Sequence, residues 1–309
     1  MPGERPLPRL AFIGLGALGA PMAANLLRAG FPVTLHNRTP GREGRVIELA
    51  GLCSEAGTAA TATAATAATA ADGAAIVCLC LSDDAAVEEV VLGPAGPQGD
   101  PGLLSVLAPE SLVIDFSTIA PATSRQLAGK LASQGVAYLD APVTGGTEGA
   151  RAGSLSVLVG GSMEDLERAR PVLEVVGSRI SHIGPVGAGQ QAKAVNQVLV
   201  AGSYGAVAEA MALGSRLGLP MPAVVEALRG GAAGSWALDN RSRHMLSGEF
   251  PLGFRLALHR KDLTIALEAA AAVQLELPLT RQVAAMEDAL MARGHGDQDV
   301  SALVHWFNP

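Results

Sequence analysis

Lysine is nearly missing from this 309-residue chain, which carries 19 Arg but only three Lys, at Lys130, Lys193 and Lys261. Wherever a positive charge was enough, the composition has drifted to Arg. A guanidinium keeps its proton inside a protein, whereas a partly buried ammonium can give or take one, so a Lys that survives within a motif is a candidate acid or base. Positive charge is also short overall. The net charge of -7 and pI near 5.4 argue against a nucleic-acid or anionic-membrane surface as partner. Cysteine is scarce and odd in number: Cys53, Cys78 and Cys80. The last two lie in the apolar run AAIVCLCL and read as buried thiols of a reducing cytoplasm. A CxC pair with no further Cys or His nearby is a poor metal site, so no metal is expected. No apolar stretch of about 18 residues free of Gly, Pro and charge occurs. The opening MPGERPLPRLAFIGLG lacks the apolar core and cleavage site of a secretory leader, so the expected location is cytoplasmic.

What is present is material for a large core. Charged residues make up 17% and AVILMFWYC 49%, far from the composition of disorder, and the length suggests two domains. Short apolar runs at Leu10 to Ile13, Pro32 to Asn37, Ala74 to Leu81 and Ser111 to Ser117 alternate with helical patterns. Continuous apolar strands between helices predict an α/β Rossmann-type doubly wound parallel sheet. The Ala-Thr stretch from Gly57 to Ala75 reads as one surface helix, its Thr spacing near three. Past about Gly184 the pattern becomes helical, beginning with a long helix over about 190–218. The expected division is a nucleotide-binding domain at 1–185 and an all-α C-terminal domain at 186–309. In the long helix Ala201, Gly205, Ala208 and Ala212 form a stripe of small residues. Such a stripe invites close contact with another helix, from a second copy or from the same chain.

Gly14-Leu15-Gly16-Ala17-Leu18-Gly19 follows the first strand and opens a helix. In that context GxGxxG is the dinucleotide fingerprint: a tight turn, close backbone approach to a diphosphate, and close helix-strand packing. The second strand ends in Asn37-Arg38-Thr39 instead of an acidic residue that would accept the ribose 2'-hydroxyl. An amide, a guanidinium and a hydroxyl can each bind a phosphate, which predicts NADP(H) over NAD(H). Leu81-Ser82 and Ser117-Thr118 end two further strands at the edge where open α/β sheets bind ligands. Thr144-Gly145-Gly146 offers backbone N–H groups and a hydroxyl to a carboxylate. On a helix, Lys193, Asn196 and Gln197 share one face, placing an ammonium beside amide donors.

FIGLGALGAPMAANLLRAG resembles the N-terminal signature of the β-hydroxyacid dehydrogenases, with Leu18 where Met is usual. DAPVTGGTEGARAGSL, GAGQQAKAVNQ and GFRLALHRKDL follow in the family's order. The resemblance implies that Lys193 is the catalytic lysine, helped by Asn196 or, failing that, Gln197. It implies a substrate-carboxylate loop at Thr144, Gly145 and Gly146, with Thr144 standing where Ser is common. It also makes Leu81, Ser82, Ser117, Thr118 and Lys261 cofactor-lining, and sets Phe254 and Asp262 on the substrate side. His259 reads as a packed or surface histidine, and Trp236 as either a lid or a core residue.

The expected activity is NADP(H)-dependent reduction of a small carboxylated aldehyde by a homodimer or homotetramer. Tartronate semialdehyde comes first on the GSWALDNR and LALHRKDL stretches; 3-hydroxyisobutyrate, glyoxylate and succinic semialdehyde follow. Imine reductases resemble the family but generally lack the lysine that stands here as Lys193. A non-catalytic cofactor-binding module would be expected to have lost it.

Overall fold

The computed structural model describes residues 6–51, 61–94 and 101–307. Cys53 and the first part of the Ala-Thr stretch lie outside them. The chain divides into two compact units, Met1–Lys193 and Ala194–Pro309.

The first unit runs β1 (Leu10–Ile13), α1 (Gly19–Arg28), β2 (Val33–His36), α2 (Arg42–Ala50), β3 (Thr61–Thr63), α3 (Ala67–Ala71), β4 (Ile76–Leu79), α4 (Asp84–Leu92), β5 (Leu112–Asp115), α5 (Pro121–Ala132), β6 (Ala137–Asp140), β7 (Val143–Thr144), α6 (Gly146–Ala152), β8 (Leu155–Gly160), α7 (Met163–Val176) and β9 (Gly177–Gly184). Among the described residues nine strands form one sheet in the order β3-β2-β1-β4-β5-β6-β8-β7, with β9 paired to β8. Pairing is parallel from β3 through β6, and again between β8 and β9. It is antiparallel where β8 meets β6 and β7.

The apolar runs are continuous because both faces of the sheet are covered. Leu10, Phe12, Cys78, Leu112 and Ile114 enter one buried cluster. Their strand neighbours Ala11, Ile13, Val77, Leu79 and Val113 enter another on the opposite face, as the period of two along a strand requires. The antiparallel addition departs from the all-parallel expectation: β7 is only two residues long, and β7 and β8 lie beside glycines whose turn chemistry obscures the strand pattern.

The Ala-Thr stretch departs from the expected surface helix. Thr61–Thr63 is a strand beside β2, and only Ala67–Ala71 is helical. Thr66 ends the extended segment because its hydroxyl accepts the Thr69 N–H at 3.0 Å, capping α3. Ala67, Ala68, Ala70 and Ala71 are buried, so this short helix belongs to the core.

Helix α8 (Ala188–Arg216) leaves the first unit and continues into the second, which adds α9 (Met221–Leu228), α10 (Trp236–Ser247), α11 (Leu256–Ala272), α12 (Pro278–Ala292) and a 3-10 segment at Val300–Trp306. By length and mean hydropathy alone α8 could cross a membrane. Its Gln190, Lys193 and Gln197, however, are buried and hydrogen-bonded to other elements of the protein. The small-residue stripe faces inward, with Ala201, Ala208 and Ala212 buried. A methyl at Gly205 would sit 3.1 Å from Val283 of α12, so the close partner of that stripe lies in the same chain. The outward side of α8 instead carries Val195, Leu199 and Leu213, with Leu217 just past its end, each 60% exposed or more.

Candidate active site

The register aligns the carboxyl ends of four strands: Ile13 lies opposite His36 and Leu79, and Leu79 opposite Asp115. The residues that follow, Gly14, Asn37, Leu81-Ser82 and Ser117-Thr118, therefore emerge at one edge of the sheet. The glycines there have separate reasons. Gly14 has φ +98°, and a Cβ on it would lie 2.3 Å from the Cys80 carbonyl oxygen. A Cβ on Gly19 would lie 1.9 Å from the carbonyl oxygen of Gly14. Gly16 has nothing within 4 Å of its would-be Cβ. Packing within the protein thus demands the outer two glycines, while the middle one faces open space, as a turn that receives a dinucleotide diphosphate requires. Ala17 is exposed, and Leu18, at the N-cap of α1, is half-buried.

Asn37 braces this turn. Its Oδ1 accepts the Leu15 N–H at 2.9 Å and its Nδ2 donates to the Thr39 carbonyl at 2.8 Å. The side chain expected to meet a phosphate is therefore committed to the backbone, because the N–H of Leu15 needs an acceptor. Arg38 and Thr39 stand exposed beside it. At the neighbouring strands Ser117 accepts the Leu81 N–H on its hydroxyl at 2.9 Å. Ser82 is exposed and Thr118 half-buried.

Sequence reasoning missed three buried polar residues under this edge. Gln190 donates to the Ser117 carbonyl at 2.8 Å and accepts the Ile119 N–H at 3.3 Å, fastening α8 to the end of β5. Asp115 accepts from the Ser117 N–H and the Tyr138 hydroxyl, each at 2.9 Å. Burial pushes its carboxyl up to about 6 against those two bonds. Asp140, beside it in register, accepts the N–H groups of Gly187 at 2.7 Å and Gln190 at 2.9 Å. Burial raises this carboxyl too, with the backbone donors opposing. The only signal in the sequence was an Asp closing each of two apolar strands.

Lys193 is 7% exposed and donates from Nζ to the Val143 carbonyl at 2.9 Å. The next residue is Thr144, followed by Gly145 with φ +129° and Gly146 with φ +64°. Lysine and glycine loop are thus brought together within the first unit.

In the second unit, Asn196 donates to Gln197 Oε1 at 2.7 Å, and Gln197 donates to Asp262 Oδ2 at 2.7 Å. Lys261 lies 2.9 Å from Asp262 Oδ1. Gln197 is used at both ends as a connector, whereas Asn196 is half-buried, with its amide oxygen unbonded. Phe254, just ahead of α11, is half-buried and meets His259 edge-on at 5.5 Å. His259 is fully buried, with Nδ1 2.6 Å from Glu287 Oε1. Trp236 is neither core nor unpartnered: it is 48% exposed, with the Arg241 guanidinium 4.7 Å from its ring centre.

Comparison with known proteins gives the same assignment from a separate direction. Residues 9–184 match the NAD binding domain of 6-phosphogluconate dehydrogenase, and residues 187–307 match the NAD-binding domain of NADP-dependent 3-hydroxyisobutyrate dehydrogenase. An NAD-dependent L-serine dehydrogenase of Pseudomonas aeruginosa is 38% identical over 97% of this chain and 98% of that protein. A 2-hydroxy-3-oxopropionate reductase of Escherichia coli is 37% identical over 96% of both. The solved structure of Mycobacterium tuberculosis 3-hydroxyisobutyrate dehydrogenase with L-serine superposes with a TM-score of 0.82 at 32% identity, covering 98% of this chain and 100% of the other. The glycine turn, the Lys193 site and these matches along the whole chain make the protein a member of the β-hydroxyacid dehydrogenase family, nicotinamide-dependent oxidoreductases that act on the CH-OH group of hydroxyacids.

Proposed function

We propose that the protein is an NADP(H)-dependent reductase of a small carboxylated aldehyde, with tartronate semialdehyde its first substrate. The observation that carries this reading is the Lys193 Nζ bonded to the carbonyl of Val143, one residue before the Thr144-Gly145-Gly146 loop. A substrate whose carboxylate sits on that loop has its carbonyl group within the reach of a proton donor.

The glycine turn at Gly14, Gly16 and Gly19 would hold the diphosphate of the dinucleotide, and Leu81, Ser82, Ser117 and Thr118, at the same sheet edge, would line its remaining length; Lys261 is the cofactor lysine that the family resemblance implies. Arg38 and Thr39 meet the 2'-phosphate while Asn37 fixes the turn. The nicotinamide supplies or accepts the hydride. As charge builds on the carbonyl oxygen, Lys193 delivers a proton to it, and Asn196, one turn further along α8, polarises it with the second N–H of its amide group, the first being given to Gln197 Oε1. Phe254 and Asp262 shape the substrate side. The protein works in the cytoplasm as a homo-oligomer, a dimer or tetramer joined over the outward apolar side of α8.

NADPH oxidation with tartronate semialdehyde, glyoxylate, succinic semialdehyde and cyclic imines, together with NADP+ reduction by 3-hydroxyisobutyrate and L-serine, tests the reading. The highest kcat/KM is expected for tartronate semialdehyde. Turnover confined to imines would overturn the reductase assignment, and turnover confined to L-serine or 3-hydroxyisobutyrate would replace the substrate.

A further inference from the structure

The turn that carries Phe254 is held by a side chain far along the sequence. Asp299 is fully buried, and both its oxygens are occupied. Oδ2 accepts the N–H groups of Gly253 at 2.9 Å and Phe254 at 2.8 Å. Oδ1 accepts the Ser301 N–H at 3.0 Å and its hydroxyl at 2.6 Å, and lies 3.4 Å from Arg241 Nε. The same strap closes on the turn with its backbone: Val300 donates to the Phe254 carbonyl, and the carbonyls of Gln298 and Gly296 take the N–H groups of Leu256 and Ala257. Those are donors at the head of α11, the helix of Lys261 and Asp262, which a helix cannot satisfy for itself. A methyl at Gly253 would lie 2.2 Å from Arg241 Nη2, so a larger residue there would displace that guanidinium.

We infer that Asp299 is a positioning residue for substrate selection: it touches no reactant, and it fixes the Phe254 ring through the two N–H groups of the turn. The inference rests on the reading that places Phe254 at the substrate. In Asp299→Asn one acceptor becomes an NH2 group facing donors, so the turn loses part of its anchor while the side-chain volume is kept.

The test is the ratio of kcat/KM for tartronate semialdehyde to that for succinic semialdehyde, measured in wild type, Asp299→Asn, Phe254→Ala and the double variant. NADPH affinity is followed by fluorescence titration. Asp299→Asn is expected to change the ratio about fivefold or more, to leave NADPH affinity within about twofold, and to add nothing in the Phe254→Ala background. A residue that only stabilises the fold would lower the active fraction for both aldehydes alike, so an unchanged ratio in Asp299→Asn overturns the proposal. An equal effect with and without Phe254 also overturns it. A ratio unmoved by Phe254→Ala itself strikes the reading of Phe254, a distinct failure. Should Asp299→Asn not unfold cooperatively, Ser301→Ala, which removes one donor from Oδ1, takes its place under the same criteria.

Discussion

The ammonium of Lys193 donates to the carbonyl oxygen of Val143 at 2.9 Å, so the one buried amine of this edge is tied to the strand that leads directly into Thr144. A carbonyl is a neutral acceptor. It fixes the direction of the ammonium beside the Thr144 loop.

Lys193→Arg separates charge from proton transfer. Arg keeps the charge and holds its proton, so rate should survive only if charge alone matters. A loss of at least about a hundredfold in kcat is expected in both Lys193→Arg and the near-isosteric Lys193→Met. NADPH titration must show that both variants still bind cofactor. Near-wild-type kcat in Lys193→Arg would move the role to Lys261.

Arg38→Ala addresses cofactor choice. A charge-assisted bond to the 2'-phosphate is worth about 1.5 to 3 kcal/mol, or roughly tenfold to a hundredfold. The variant should lose that factor in kcat/KM with NADPH and little with NADH. Equal efficiency of the two cofactors in the wild type would refute the preference.

The glycines of the turn should respond differently. Gly19→Ala drives a methyl into the Gly14 carbonyl oxygen and should lower the thermal midpoint markedly. Gly16→Ala meets no protein atom within 4 Å, so its stability should stay within about 1 kcal/mol of wild type while NADPH affinity falls. Calorimetry and titration read the two effects separately. Undiminished affinity in Gly16→Ala would remove the diphosphate from that place.

Asp115 gives a pH dependence. Burial holds its folded-state pKa near 6, above that of an exposed carboxyl. The stability tied to its protonated form is complete below about pH 4 and is lost as the pH rises through about 6, a penalty of roughly 3 kcal/mol at neutrality. Asp115→Asn cannot ionise. Relative to it, the wild type should lose about that much unfolding free energy between pH 4 and pH 7. The charge of Asp140, its neighbour in register, adds to the upward push on Asp115. Parallel stability profiles would dismiss the effect.

Leu199 is 70% exposed and Leu213 is 60% exposed on the outer side of α8. Leu199→Glu should dissociate the proposed homo-oligomer, as read by light scattering at micromolar concentration. A monomeric wild type would end the proposal.

Much of the fold was legible because burial on both faces leaves a plain mark: four apolar runs, each closed by a glycine or a small polar residue, at the sheet edge. The glycine turn was legible because close packing restricts the residue type, and Lys193 stood out as a candidate because so few lysines remain. Asp140, Gln190 and Asp299 were not, because their work is to satisfy backbone N–H and carbonyl groups brought close only by tertiary structure, from up to 73 residues away. The Ala-Thr stretch misled for the opposite reason. Spacing near three is helical, but a Thr hydroxyl can cap as readily as it can continue a helix.

Asp140 also determines where α8 loosens first. The amides at an ordinary helix start have no internal acceptor and exchange readily with solvent deuterium. Here the amides of Gly187 and Gln190 are bonded to a carboxylate rooted in the sheet, so they open only when the sheet itself opens. Exchange along α8 should therefore advance from the Arg216 end, leaving the turn that carries Lys193 among the last to take up label.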